Sequence, residues 1–250
     1  MLSYASLIAV SALWGAGAGL LVPRAAFRLA VEPEQAWRDA CPVGHRFTGP
    51  AAGWLGGPSC GPPGCGPKAR SVVLGAPGAT VLACVVLAAA TGPRPELAVW
   101  LLLTPFAVLL ALVDLRVHRL PDQVTLPLAG ASALLLGAVS PLPGAAGSWS
   151  TALLGGLALG CGYLLLFLLH PDGLGFGDVK LALSLGVVLG WYGWTVLLAG
   201  AFAGFLFGSA YGLGLLVAGR ARRGTAIPFG PFMIVGALTG VLLGALAAPA

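Results

Sequence analysis

Residues 163–178 read YLLLFLLHPDGLGFGD, an apolar run that breaks at His170-Pro171, passes through Gly175-Phe176-Gly177 and meets Asp178 before a second apolar run begins. The run shows no alternation of apolar and polar residues, so it is helix rather than barrel strand. An aspartate in such a setting is expensive, since placing one at the centre of a membrane helix costs about 2.5–3.5 kcal/mol. That makes Asp178 a functional candidate by default. Gly175 and Gly177 remove side-chain bulk on both sides of it and allow irregular backbone or close approach by another chain. An aspartate at this place also suits a helix N-cap.

The rest of the chain is built in the same way. Of its 250 residues, 58% are hydrophobic and only 8% charged, against about 25% charged in soluble domains. A soluble domain is therefore excluded, and the fold class is an all-α polytopic membrane protein. Apolar runs separated by Pro, Gly or charged breaks give eight transmembrane spans, at residues 2–22, 72–91, 96–114, 124–141, 149–169, 178–191, 194–218 and 229–248. Met1 to Val22 has no basic start and carries its first arginine after the apolar run, so it reads as a retained helix and not a signal peptide. Gly15, Gly17 and Gly19 give its far end a small face suited to close packing.

Charge sets the direction. Of the thirteen Lys and Arg residues, Arg24, Arg28, Arg38, Arg46, Lys68 and Arg70 follow the first span, Arg116 and Arg119 the third, and Arg220, Arg222 and Arg223 the seventh. Lys180 abuts the turn between spans five and six, and Arg94 alone falls on the other side. The positive-inside bias then puts both termini outside and the basic loops in the cytoplasm. The net charge of +5 is accounted for by membrane orientation, and no nucleic-acid partner is inferred from it.

The chain divides into residues 1–71, the first helix plus a polar cytoplasmic segment, and residues 72–250, the membrane core. Within the segment, Arg24 to Ala40 has helical spacing and Cys41 to Pro67 is a loop dense in Gly and Pro. Cys41, His45, Cys60 and Cys65 all lie in that loop. In a reducing cytoplasm such a set reads either as a structural zinc site or as thiols on a flexible loop. Cys84 and Cys161 fall inside spans and read as small core residues.

A second acidic position lies at the end of the third span. Asp114 is followed by Leu115-Arg116-Val117-His118-Arg119-Leu120-Pro121-Asp122, and the proline marks a helix break. The dipole disfavours an acid near a helix C-terminus, so a purely structural role would more naturally use Lys or Arg there. Asp114 and Asp178 fall on the same face of the membrane. If the third and sixth spans pack together, the pair can share one water. Two close carboxylates resist ionising together, so one keeps a proton while the other acts as base. Such a pair can activate water and protonate a departing amine without a covalent intermediate. His45, His118 and His170 have no nucleophile at a motif spacing, so a Ser-His or Cys-His mechanism is not supported. The eighth span opens with Ile227-Pro228-Phe229-Gly230-Pro231, a stiff turn able to brace a site from below. The rival reading is a small proton- or cation-coupled transporter using intramembrane aspartates, although the chain lacks the inverted repeat that transporters often show.

Asp114 with Leu120-Pro121-Asp122, then Gly175-Phe176-Gly177-Asp178, then Ile227-Pro228-Phe229-Gly230-Pro231 together resemble the type IV prepilin peptidase family of GxGD aspartic proteases, from about residue 97 to the C-terminus. The resemblance implies a multi-pass protein of the bacterial plasma membrane. Its active site would face the cytoplasm and remove the short basic leader of prepilins or pseudopilins just after a glycine. It implies Asp114 and Asp178 as the catalytic pair, supported by Gly175, Gly177, Asp122, Pro228 and Gly230, with no cofactor for proteolysis. Many members also methylate the new N-terminus with S-adenosylmethionine, an activity associated with an N-terminal segment bearing two Cys-x-x-Cys pairs. Here Cys41 to His45 resembles a first pair with one cysteine lost, and Cys60 to Cys65 a widened second, so the methyltransferase activity is the less supported of the two.

Overall fold

The computed structural model describes residues 3–32, 35–41, 43–55, 70–171, 173–220 and 227–248. Eight long helices carry the described chain: α1 (Tyr4–Leu29), α2 (Arg70–Thr91), α3 (Glu96–Val117), α4 (Asp122–Val139), α5 (Trp149–Leu169), α6 (Phe176–Gly190), α7 (Trp194–Val217) and α8 (Gly230–Ala247). Each of the eight expected spans has its helix. Among the described residues six helices are long and apolar enough to cross a membrane, namely α1, α3, α4, α5, α7 and α8, and Gly75–Thr91 of α2 is a shorter apolar helix. With 15 residues, α6 is about 22 Å long, short of a roughly 30 Å hydrocarbon core, so at least one of its ends lies inside the membrane's thickness.

Small residues set the packing, as expected where apolar burial gives helices in lipid little reason to associate. α5 lies along α6, α7 along α8, and α1 along α2. In the first pair a Cβ on Gly155 would stand 2.7 Å from the Gly186 carbonyl oxygen, so backbone touches backbone and only glycine fits. On α1 the expected small face is used by Gly15 and Gly19, which would collide with Val81 and Pro77 of α2 if they carried a Cβ, while Gly17 faces open space.

Two expectations about the first polar segment change. The helical spacing expected over residues 24–40 is realised only to Leu29, where α1 runs on through Pro23 and stops; Ala30, Val31 and Glu32 are not helical. Glu32 precedes Pro33 in the sequence, a position biased away from helix. The longer α1 is held by its own arginines. Arg28 is buried, donates from Nε to the Arg38 carbonyl (2.9 Å) and from Nη1 to the Ala52 carbonyl (3.1 Å), and lies 3.9 Å above the Trp54 ring. Arg24 donates to the Thr48 carbonyl at 3.2 Å. Charges that look like a membrane boundary in the sequence are thus also the interior of a small cap, in which residues 50–53 make a left-handed turn at Ala51 and Ala52.

This cap lies at the end of the bundle where α1 and α3 finish, since Arg119, just beyond α3, donates to the Glu32 carbonyl at 3.1 Å. That end is called the basic end below. At the opposite end Arg94 donates to the carbonyls of Ala245 and Ala248 at 2.8 and 3.0 Å, a cation at the negative pole of α8.

Candidate active site

Asp114 stands one turn from the C-terminus of α3, which ends at Val117 and is capped by His118 in the left-handed conformation (φ 50°, ψ 41°). Its own helix dipole disfavours the carboxylate there. The fold answers with the start of another helix. Gly230, the first residue of α8, donates its backbone N–H to Asp114 Oδ2 at 2.9 Å, so the acid sits at the positive pole of α8. A Cβ on Gly230 would lie 2.8 Å from that same oxygen. The Pro-Phe-Gly-Pro turn therefore braces the site through a peptide N–H and a missing side chain, with half-buried Pro228 directly before Phe229.

Asp178 is the third residue of α6, whose N-cap is Gly175. The sequence reading put Asp178 itself at the helix start, with Gly177 in the preceding loop; instead α6 begins at Phe176. The reason is local, because Asp178 Oδ2 accepts the Gly175 N–H at 3.1 Å and its backbone N–H donates to the Gly175 carbonyl at 3.0 Å. The carboxylate thus closes the first turn from inside it. The two glycines play different parts. Gly177 is the close approach, since a Cβ there would lie 3.0 Å from Leu120 Cβ, whereas Gly175 has room for one at 3.4 Å from Asp178 Oδ2 and contributes its N–H.

Both aspartates are buried, at 4% and 8% exposure, and they are near enough for their charges to interact. The route to that proximity differs from the expected one. Among the described residues α3 and α6 do not pack on each other, and both instead pack on α4 and on α8. Direct packing would bring the two backbones too close to leave space between the acids; α4 and α8 act as spacers. Asp122, at the first turn of α4, pairs with Lys180 of α6 at 2.6 Å and is 55% exposed. It ties α4 to α6 beside the pair rather than joining it.

Tyr163 of α5 was not singled out by sequence. It is 3% exposed, stacks on Phe205 with ring centroids 5.5 Å apart, and meets Phe229 at 6.3 Å. It also lies near Asp178. One ring therefore links the surroundings of Asp178 to the residue preceding Gly230. No local motif announces it, because the contacts cross three helices.

The metal-ligand set is half placed. Cys41 Sγ lies 3.8 Å from His45 Nδ1 across a turn closed by Gly44 N–H to Cys41 carbonyl (2.8 Å) and Cys41 N–H to His45 carbonyl (2.9 Å). Cys60 and Cys65 lie outside the described residues, and among those described no group of three or more His, Cys, Asp or Glu converges as metal ligands would.

The family model described as the type IV leader peptidase family matches residues 101–247, which contain both aspartates and all three motifs. Among curated proteins, the prepilin leader peptidase/N-methyltransferase of Aeromonas salmonicida strain A449 is 34% identical over 175 residues, covering 66% of this chain and 56% of that protein. The protein of the same name from Pectobacterium carotovorum subsp. carotovorum is 32% identical over 162 residues, covering 60% and 53%. That of Burkholderia pseudomallei strain K96243 is 36% identical over 148 residues, covering 55% and 44%. The chain spans about half the length of the curated relatives it matches. No solved structure matches it. With a family model covering well over half its length and lying across the two buried aspartates, this chain belongs to the type IV leader peptidase family.

Proposed function

We propose that the chain is an aspartic endopeptidase that removes the basic leader from prepilins or prepilin-like proteins at the cytoplasmic face of the bacterial plasma membrane. The observation that carries the reading is the pair itself. Asp114 and Asp178 are buried at helix ends, each holds one oxygen on a single backbone N–H, and their charges interact. With Oδ2 of each acid occupied, Oδ1 of each is left to the reacting atoms. One carboxylate takes a proton from water as the water attacks the scissile carbonyl. The other, protonated, donates to the carbonyl oxygen; the proton taken from water then passes to the departing nitrogen as the C–N bond breaks, and the tetrahedral intermediate's hydroxyl returns its proton to the second carboxylate. No covalent enzyme intermediate forms. A substrate whose apolar helix lies in the bilayer and whose basic leader lies outside it would present its junction at this depth. Nothing in the comparisons favours the transporter reading, and the relatives are named as leader peptidases.

Those names also include N-methyltransferase. In the described part of the segment after α1, Arg24 and Arg28 lie over the rings of Phe47 and Trp54 and donate to the carbonyls of Thr48 and Ala52. Proteolysis by a carboxylate pair needs no step through S-adenosylmethionine. Cys41 and His45, already side by side, fit one half of a structural zinc site that Cys60 and Cys65 would complete, a tie for a loop too poor in apolar residues to fold alone.

The test is co-expression with a prepilin, followed by mass spectrometry of the mature N-terminus. Cleavage directly after the leader's terminal glycine is expected. A full-length prepilin recovered intact from cells containing properly inserted enzyme would overturn the proposal.

A further inference from the structure

A cleft of about 410 Å³ is lined by residues of α2, α3, α4, α6 and α8. Its walls carry no charged side chain. Thr104, Ser132 and Ser184 line it, but each hydroxyl donates to a carbonyl of its own helix, so the surface offered is apolar. Along α3 the lining runs from Trp100 to Leu115, a rise of about 22 Å along the helix, most of the height of a bilayer core. At its basic end the cleft reaches Leu115 and Pro231, the residues next to Asp114 and Gly230. One end of the cleft therefore lies beside Asp114 and the glycine that holds it, while on α6 the lining begins at Ser184.

We infer that this cleft is the docking groove for the apolar helix of the substrate, taking the face of that helix immediately C-terminal to the scissile bond. The inference rests on the peptidase reading and adds to it where the retained part of the substrate lies. Length and volume fix how it binds. A mean cross-section of roughly 20 Å² is far less than a helix of about 10–12 Å diameter occupies, so the groove takes one ridge of side chains and leaves the rest of the helix in lipid. Ala107 and Ala111 on α3 and Ala79 and Ala83 on α2 keep the walls low, which allows the close approach that membrane helices need to associate. The position of the cleft's basic end, one residue along the chain from Asp114 and from Gly230, favours a peptide over a resident acyl chain. A chain held by the pair must leave it toward the membrane, and the cleft opens beside Asp114. Residues along the groove then discriminate among substrates by the pattern of their apolar helix, separately from leader recognition.

A photo-crosslinking amino acid placed at Leu82 of α2 or Val235 of α8, both lining the cleft, tests this. The background is the Asp178→Asn variant, with a co-expressed model prepilin carrying a lysine-rich leader ending in glycine and an apolar helix. Leu134 and Phe202, exposed at 75% and 67% away from the cleft, serve as controls. Cross-links to the prepilin from Leu82 and Val235, and none from the controls, are expected. Cross-links to lipid alone, or prepilin captured equally at all four positions, would overturn the groove. A second variant, Ala107→Phe in the active enzyme, should raise KM for the prepilin about tenfold while keeping kcat; unchanged KM in a folded variant also refutes the groove. Failure of the unsubstituted enzyme to cleave the same prepilin would instead refute the peptidase reading, because the cross-links do not depend on catalysis.

Discussion

Adding one methyl group at Gly230 is the sharpest probe of how the site is held. In the structure a Cβ at this position would stand 2.8 Å from Asp114 Oδ2 and 3.3 Å from its carboxyl carbon. Its backbone has no left-handed φ, so Gly230→Ala adds a steric conflict without backbone strain. The carboxylate must swing away, and with it goes the 2.9 Å hydrogen bond from the Gly230 N–H. Hydrogen bonds to charged groups contribute about 1.5–3 kcal/mol. If that interaction positions Asp114 in the transition state, kcat/KM falls roughly 10- to 150-fold, at tenfold per 1.36 kcal/mol. The assay is leader removal from a purified prepilin in detergent or nanodiscs, with thermal unfolding measured on the same sample. Activity within about twofold of the unsubstituted enzyme, well below the tenfold expected from one lost bond, would show that Gly230 does not hold the catalytic acid.

Tyr163→Ala removes a ring packed between Phe205 and Phe229 and should cost about 3–5 kcal/mol of stability, whereas Tyr163→Phe keeps the stack and should slow cleavage less than about tenfold; thermal unfolding and rate measured together separate the two. Lys180→Met breaks the pair with Asp122, a partner more than half exposed, so stability should fall by less than about 1 kcal/mol. The same substitution should leave leader cleavage far less affected than a change at either buried aspartate. Elemental analysis of purified protein should find about one zinc per chain, lost on Cys41→Ser, if Cys41 and His45 begin a tetrahedral site; metal-free protein that folds and cleaves normally would remove zinc from the account.

The sequence carried the helices well because lipid imposes a length and an apolar content on every span, and those are local properties. It located α5 at its observed boundaries and the other spans within a few residues, apart from α1, whose arginines turn inward onto Trp54 and loop carbonyls instead of ending the helix. The aspartates were legible because a buried carboxylate stands out against an apolar background. What joins them was not. Each acid sits on its own short motif, but the N–H that holds Asp114 comes from a helix 116 residues away, and the spacing between α3 and α6 is set by α4 and α8. The start of α6 differs for a related reason: the sequence reading opens the span at Asp178, while the helix begins at Phe176 and the Asp178 side chain reaches from the third position back to Gly175. Tyr163 and the Asp122–Lys180 pair belong to the same class of feature, contacts between distant helices that no single stretch announces.

The central claim is that two carboxylates share the hydrolysis. Its most direct test replaces each by its isostere, Asp114→Asn and Asp178→Asn, and measures single-turnover leader removal from a prepilin alongside thermal unfolding. Both variants should insert and fold, since asparagine can still accept the N–H bonds from Gly230 and Gly175. Each should lose at least about 100-fold in the cleavage rate, the lower range for losing a general acid or base. A folded variant of either kind that cleaves at close to the unsubstituted rate would contradict the account.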